Sequence, residues 1–325
     1  MVATPQTPPV PFDPRVYFAT ADIPSSLKGG VVVIGNFDGV HLGHRAVLGD
    51  ALSLAKATST PAIVLTFEPH PRTFFRPETP VFRITPPHLK SDVLLAMGFD
   101  AVVIETFDSQ LSNLEAETFI EQHLVNDLAA SHVVTGFNFH FGKNRKGNPQ
   151  MLEAEGKRLG FNVTSVERQV DTAGERVSSS RIRNALEDGN IKRANQLLGR
   201  NWRVRGQVQK GAQLGRTLGY PTANIKLHPA TTLRHGIYAV RFIRADGSFH
   251  DGVASFGKRP TFDNGAPLLE IFIFDFTGDL YDEFISVELI DWIRAEEKFD
   301  SLEALISQMD KDSARAKAIL AESAV

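Results

Sequence analysis

The hydrophobic positions follow one period through the first half of the chain and another through the second. Short apolar runs occur at residues 31–34 (VVVI), 61–67 (PAIVLTF) and 101–104, and further β runs at 132–135 and 161–166. Between them the spacing turns helical: Val47, Leu48, Ala51, Leu52 and Ala55 lie on one face after the first run, and similar stripes follow at 89–97, 114–128 and 151–159. Strands alternating with helices predict right-handed crossovers and an open, parallel, doubly wound sheet, an α/β domain. Residues 182–198 then read as two short helices broken at Asp188-Gly189, with Gly199 as a stop. Beyond them, 202–208, 236–243, 249–256, 268–276 and 284–292 read as β segments without intervening helices, the pattern of an antiparallel β-barrel. A terminal helix is predicted over 302–320, with Ser301 as N-cap and Glu303 in its first turn. The expected domains are 1–186 and 201–325, joined by a linker at 187–200.

Composition narrows the class. A chain of 325 residues is long enough for two domains at roughly 150 residues each. The 42% hydrophobic and 22% charged fractions are those of a globular protein. A net charge of −3 gives no electrostatic case for nucleic acid. The absence of cysteine excludes disulfides, thiolate catalysis and Cys-ligated zinc, and it fits a reducing compartment. No apolar run approaches the roughly 20 residues of a membrane span. The proline-rich segment 1–15 lacks the pattern of a secretory signal. A cytoplasmic protein without membrane or nucleic-acid partners is expected; a homo-oligomer remains open.

The candidate chemistry starts where the first strand ends. In GNFDGVHLGH (35–44) the chain turns at Gly35, Asn36 and Gly39 and enters a helix. Such a turn aims unpaired backbone N–H groups and a helix dipole at one point, which suits a phosphate. His41 and His44, three apart, present two imidazoles to the same point and can neutralise charge growing on a phosphate. Taken alone, two histidines at this spacing are as compatible with surface decoration. Three more stretches belong at the carboxyl ends of the strands or just before a helix: TFEPHPR (66–72), GFNFHFGKNRKG (136–147) and VSSSRIR (177–183). Ser179 and Ser180 offer hydroxyl donors there, and Arg183 offers a planar fork for phosphate oxygens.

Together these strings resemble the HxGH nucleotidyltransferases, and the FAD synthetase branch in particular, which carries GNFDGVH, TFxPHP, GxNFxFG and SSTxIR. The resemblance implies adenylyl transfer from ATP to FMN with release of pyrophosphate. It places Gly35, Asn36, Phe37, Gly39, Ser179, Ser180 and Arg183 at the ATP phosphates, His41 and His44 at the transition-state charge, and Asn138 at flavin phosphate or metal. SSSRIR has Ser180 where the family usually has Thr, which keeps the hydroxyl.

In the second half, GQVQKGAQLGRTLGYPTAN (206–224) is glycine-rich around Arg216, a segment whose backbone can wrap phosphates; Thr222 and Asn224 follow rigid Pro221 as oxygen donors for Mg²⁺. The string resembles the riboflavin kinase signature, and GIYAV (236–240), GVASFGKRPTF (252–262), LEIFIFDFTGDLY (269–281) and IRAEEKFDSLEAL (293–305) match that family in order. The resemblance implies ATP-dependent phosphorylation of riboflavin to FMN. It places Glu270 as the base for the ribityl hydroxyl, Gly211, Gly215, Arg216 and Pro221 at ATP, Thr222 and Asn224 at Mg²⁺, and Arg294 and Glu297 at the flavin. Phe272 replaces a frequent His, and Asp282 stands where Gly commonly follows DLY. The expected whole is a bifunctional transferase with two ATP sites that makes FMN and then FAD. The competing readings are an HxGH transferase with another acceptor and a flavin-binding protein without turnover.

Overall fold

A computed structural model describes residues 11–210, 220–258 and 267–323. The backbone divides into two compact units, Pro11–Ser178 and the chain from Ser179 onward.

The N-terminal unit is built on six parallel strands: β1 (Val16–Tyr17), β2 (Val31–Ile34), β3 (Ala62–Glu68), β4 (Ala101–Thr106), β5 (His132–Gly136) and β6 (Asn162–Val166), in the spatial order β1-β4-β3-β2-β5-β6. All four residues of β2 are apolar because both faces of the sheet are covered. Val31 and Val33 enter one core beside α1 (Leu42–Thr58) and α3 (Pro87–Ala96), which follows the short α2 (Pro71–Phe75). Val32 and Ile34 enter the other. The second core is covered by α5 (Ala116–Phe119), which follows α4 (Ser109–Asn113), and by α6 (Pro149–Leu159). Strand order runs outward from β2 through β3 to β4, then reverses to β5 on its other side. The crevice outside β2 and β5 is therefore the topological switch point, where sheets of this class bind ligands.

One predicted helix differs in kind. The stripe at 114–128 is α-helical only over Ala116–Phe119 and continues as a π-helix over Ile120–Asp127. The wider turn carries His123 and Asp127 around the buried Thr20 hydroxyl, which donates to Asp127 Oδ2 at 2.6 Å and lies 2.7 Å from His123 Nδ1.

The second unit begins with α7 (Ser179–Glu187) and α8 (Ile191–Leu198), an amphipathic pair broken at Gly189. Asn195 on α8 accepts the Trp202 N–H at 2.7 Å and donates to the Leu289 carbonyl at 3.0 Å, which ties the pair to the sheet. That sheet is antiparallel throughout: β7 (Trp202–Gln207), β8 (Thr222–Lys226), β9 (Gly236–Ile243), β10 (Phe249–Lys258), β11 (Pro267–Ile273) and β12 (Phe284–Arg294), ordered β7-β12-β9-β10-β11-β8. A bridge between Gln209 and Asn224 joins the two edges, so the sheet curls into the expected barrel. Tyr238, Val240 and Phe242 are fully buried on β9, while Ala239 packs against Ala316, Ile319 and Leu320 of the terminal helix α9 (Leu302–Glu322). Ser301 caps α9 as its sequence predicts, accepting the Ala304 N–H at 3.1 Å.

Gly236 starts β9 at φ +149°, and a Cβ there would fall inside contact distance of the Arg294 carbonyl and the Trp292 indole nitrogen. Gly236→Ala is expected to destabilise the C-terminal unit by about 2–4 kcal/mol through strain and overpacking, measured by denaturant unfolding.

Candidate functional site

In the N-terminal unit the turn between β2 and α1 stands at the switch point. Phe37, Gly39 and Val40 all have positive φ (47°, 95° and 43°), which is costly for Phe and more so for β-branched Val. Gly35 is needed because a Cβ would lie 2.8 Å from the Phe37 ring, which folds back over it. His41 is the N-cap of α1, and its Nδ1 accepts the His44 N–H at 3.2 Å. A ring accepting at Nδ1 carries its neutral-form proton on Nε2. The His41 and His44 rings stack with centroids 3.6 Å apart and planes 14° from parallel. Gly43 permits this: its Cβ would stand 3.1 Å from the His41 ring.

Burial pushes the His44 imidazole well below its usual range, with His41, Lys90 and Arg176 adding positive field. Two imidazolium rings at stacking distance would repel, so the two do not both carry charge at rest, and His44 is the ring held neutral, ready to stabilise an anion that develops beside it. His44 Nδ1 is buried without a hydrogen-bond partner. Burial also lowers His123 and His132 in this unit. For each, the unfolded chain binds more protons below about pH 6.5, so their contribution to stability is complete above that pH and is lost as pH falls. Glu105, raised by burial, opposes this only in the carboxylate range. The melting temperature of the N-terminal unit is expected to drop between pH 7 and 5.5 in a calorimetric pH series.

The sequence singled out neither Lys90 nor Arg83, and it held Glu68 and Asp38 only within the TFEPHPR and GNFDGVH strings, yet the four form the floor of this turn. Lys90, 1% exposed, donates from Nζ to Glu68 Oε1 at 2.8 Å, Thr66 Oγ1 at 3.0 Å and the Asn36 carbonyl at 3.3 Å. Burial, reinforced by Arg83, pulls its ammonium down to about 7. Glu68 also pairs with Arg83. The Asp38 carboxylate accepts the Ile84 and Thr85 N–H groups at 3.3 and 3.0 Å.

Asn138 is exposed in the loop after β5, and because Ile34 pairs with Thr135 that loop leaves the sheet beside the Gly35 turn. Ser179, Ser180 and Arg183 lie in the first turns of α7, in the C-terminal unit.

In that unit Gly211, Gly215 and Arg216 lie outside the described residues. Pro221 is exposed, and Thr222 and Asn224 sit on β8, a strand that the polar PTAN string does not announce. Two apart, their side chains share a face, and Glu270 on β11 is directly opposite Asn224. Asn224 is 5% exposed; its Nδ2 donates weakly to the Thr222 carbonyl at 3.4 Å, and its Oδ1 is buried without a partner. An orphaned amide oxygen beside a hydroxyl and a carboxylate is a donor set for a hard cation.

Tyr220, just before this strand, bonds Asp310 on α9 and packs on Phe272 with centroids 4.7 Å apart. Burial, with Asp310 adding to it, pushes its phenol up to about 12. Phe272 thus has an aromatic role where the family has a frequent His. Asp282 has φ 65°, the left-handed backbone for which Gly is common, so the turn is kept at some strain. Asp282→Gly is expected to change stability by less than about 1 kcal/mol in denaturant melts, since relief of strain is offset by chain entropy. Arg294 is committed: Nε and Nη2 grip Asp312 at 2.8 and 2.6 Å, and Nη1 donates to the Ala295 carbonyl at 2.8 Å. Glu297 is exposed, 3.8 Å from Arg294.

Among the described residues no helix is long and apolar enough to cross a membrane. A profile described as FAD synthetase matches residues 23–181, and one described as riboflavin kinase matches 198–320. A bifunctional riboflavin kinase/FMN adenylyltransferase of Haemophilus influenzae is 40% identical over 90% of this chain and 94% of its own length. Another of Pseudomonas fluorescens is 40% identical over 91% and 95%. A crystal structure described as a macrolide-efflux protein from Streptococcus pneumoniae superposes with a TM-score of 0.80 at 33% identity, covering 91% of this chain and 96% of that one. With an FAD synthetase domain ahead of a riboflavin kinase domain and end-to-end relatives of both activities, the chain belongs to the bifunctional riboflavin kinase/FMN adenylyltransferase family.

Proposed function

We propose that this transferase makes FMN with Glu270 as base and then FAD with His41 and His44 as transition-state donors, each step at its own centre. The observation that carries the reading is that each unit has a separate polar centre suited to its step: the stacked imidazoles on the Gly35 turn, and the Thr222–Asn224 face opposite Glu270.

At the barrel, the riboflavin 5′-hydroxyl attacks the ATP γ-phosphate and ADP leaves. An alcohol gains nucleophilicity as its proton moves to Glu270. Thr222 Oγ1 and Asn224 Oδ1 are assigned to Mg²⁺, which when bound compensates charge on the phosphate oxygens. Gly211, Gly215, Arg216 and Pro221 are assigned to ATP. Arg294, locked to Asp312, holds the segment from which Glu297 serves the flavin. At the N-terminal unit the FMN phosphate, already an anion, attacks the ATP α-phosphate and pyrophosphate leaves, so positioning and charge stabilisation suffice. Gly35, Asn36, Phe37 and Gly39 supply the turn, Ser179, Ser180 and Arg183 hold triphosphate oxygens, and Asn138 orients the flavin phosphate. Cytoplasmic action fits the cysteine-free composition.

The test is incubation with riboflavin, ATP and Mg²⁺, followed by chromatography of the flavins. FMN followed by FAD is expected, and chelation should abolish both until Mg²⁺ is restored. FMN that never proceeds to FAD would remove the N-terminal assignment, and full turnover in chelator would remove the metal assignment.

A further inference from the structure

A turn with left-handed Phe37 and Val40 persists only where its surroundings over-determine it. Three contacts do so from below: the Phe37 ring over bare Gly35, the Asp38 carboxylate on the Ile84 and Thr85 N–H groups, and the Asn36 carbonyl held by Thr66 Oγ1 and Lys90 Nζ. Lys90 alone brings a buried ammonium to the turn. Its three N–H bonds match the three acceptors around it, one of them that backbone carbonyl.

The carbonyl matters because a trans peptide is planar, so the Phe37 N–H points opposite to the Asn36 C=O. Fixing the oxygen on Lys90 therefore aims this N–H away from the sheet and out of the turn. Among the described residues it has no acceptor there. A cation on the carbonyl end of the peptide also strengthens the donor at its other end.

We propose that Lys90 is a positioning residue for adenylyl transfer, holding the Asn36 carbonyl so that the Phe37 N–H faces the ATP phosphates. This rests on the adenylyl-transfer reading of the turn. The groups facing the ammonium are Glu68 on β3, Arg83 in the following loop, Asp38 in the turn and the His41/His44 pair on α1. A lysine that only neutralised Glu68 would be dispensable once that carboxylate was gone, and the test separates the two roles.

Full-length Lys90→Met, Glu68→Gln and the double variant are compared in steady-state FMN adenylylation, with FMN formation from riboflavin and thermal melting measured on each. In Lys90→Met, kcat for adenylylation is expected to fall about 10–100-fold with KM for FMN within about twofold, the mark of a misaimed transition-state donor. FMN formation should be unchanged. Where the single variant melts early because Glu68 loses the Lys90 ammonium and keeps only Arg83, the double variant should regain the melting temperature while kcat stays low. A folded Lys90→Met with kcat within about twofold of the parent overturns the proposal. So does a double variant whose kcat returns to that of Glu68→Gln. A parent protein that makes FMN but adenylylates nothing would instead overturn the reading of the turn.

Discussion

The double change His41→Asn/His44→Gln is expected to lower kcat/KM for FMN adenylylation by about 10³-fold or more, and to leave riboflavin phosphorylation within about twofold of the parent. The size follows from what the imidazoles do. The nucleophile is already an anion, so little catalysis is available from proton removal. Most must come from donors fixed where charge develops on the α-phosphate. His44 is held neutral by burial and by the positive field of His41, Lys90 and Arg176, and the two rings stack at 3.6 Å, too close for two charges at rest. An incoming triphosphate changes that balance, because its oxygens stabilise the proton that burial disfavours. The chosen residues keep the fold intact. His41 caps α1 through Nδ1, and alanine there would remove a cap worth about 1 kcal/mol, whereas asparagine supplies another acceptor for the same N–H. Separate quantification of FMN and FAD is the measurement. FAD formation at the parental rate in a variant that melts normally would end the assignment of both histidines.

Fold class was legible because each half states its period plainly. VVVI, β-branched and bounded by glycine on both sides, suits a strand buried on both faces, and the helical stripe after it supplies the cover for one of them. The phosphate turn was legible because glycine, a following helix and two histidines fall within ten residues. The floor of the same turn was not, since Glu68, Arg83 and Lys90 come from separate parts of the chain and meet only through the sheet. One signal did exist. Lys90 lies on the same face of α3 as Leu94, both are buried, and a lysine within an apolar stripe asks for a buried partner. Strand β8 was hidden for a different reason. Proline and asparagine favour turns locally, and it is the pairing with β11 that holds Thr222 and Asn224 extended. The π-helical stretch escaped as well, because its apolar spacing reads as ordinary helix while Thr20, His123 and Asp127 decide its pitch from outside the pattern.

Removing the carboxylate at Glu270 should have the opposite selectivity. Glu270→Gln is expected to cut FMN formation from riboflavin by about 10²–10⁴-fold, while FAD formation from added FMN continues at the parental rate. The amide keeps the length of the side chain and its acceptor oxygen but cannot take a proton. That isolates the base function from any part the carboxylate has in holding β11 against β8. Register makes the residue credible as that base: Glu270 faces Asn224 across the ladder, and Asn224 and Thr222 share a side of β8, so the carboxylate adjoins the donor set assigned to Mg²⁺. The companion change Asn224→Leu should also slow the kinase. Its effect should lie in the ATP and Mg²⁺ dependence, since it removes the orphaned Oδ1 and leaves the base. The two kinase variants therefore differ in kind. With Glu270→Gln, saturating Mg²⁺ should restore nothing and kcat should carry the loss; with Asn224→Leu, added Mg²⁺ should recover part of the rate. Loss of FAD formation from supplied FMN in Glu270→Gln would mean that the two centres do not work independently. An unchanged rate of FMN formation would move the base away from β11 altogether.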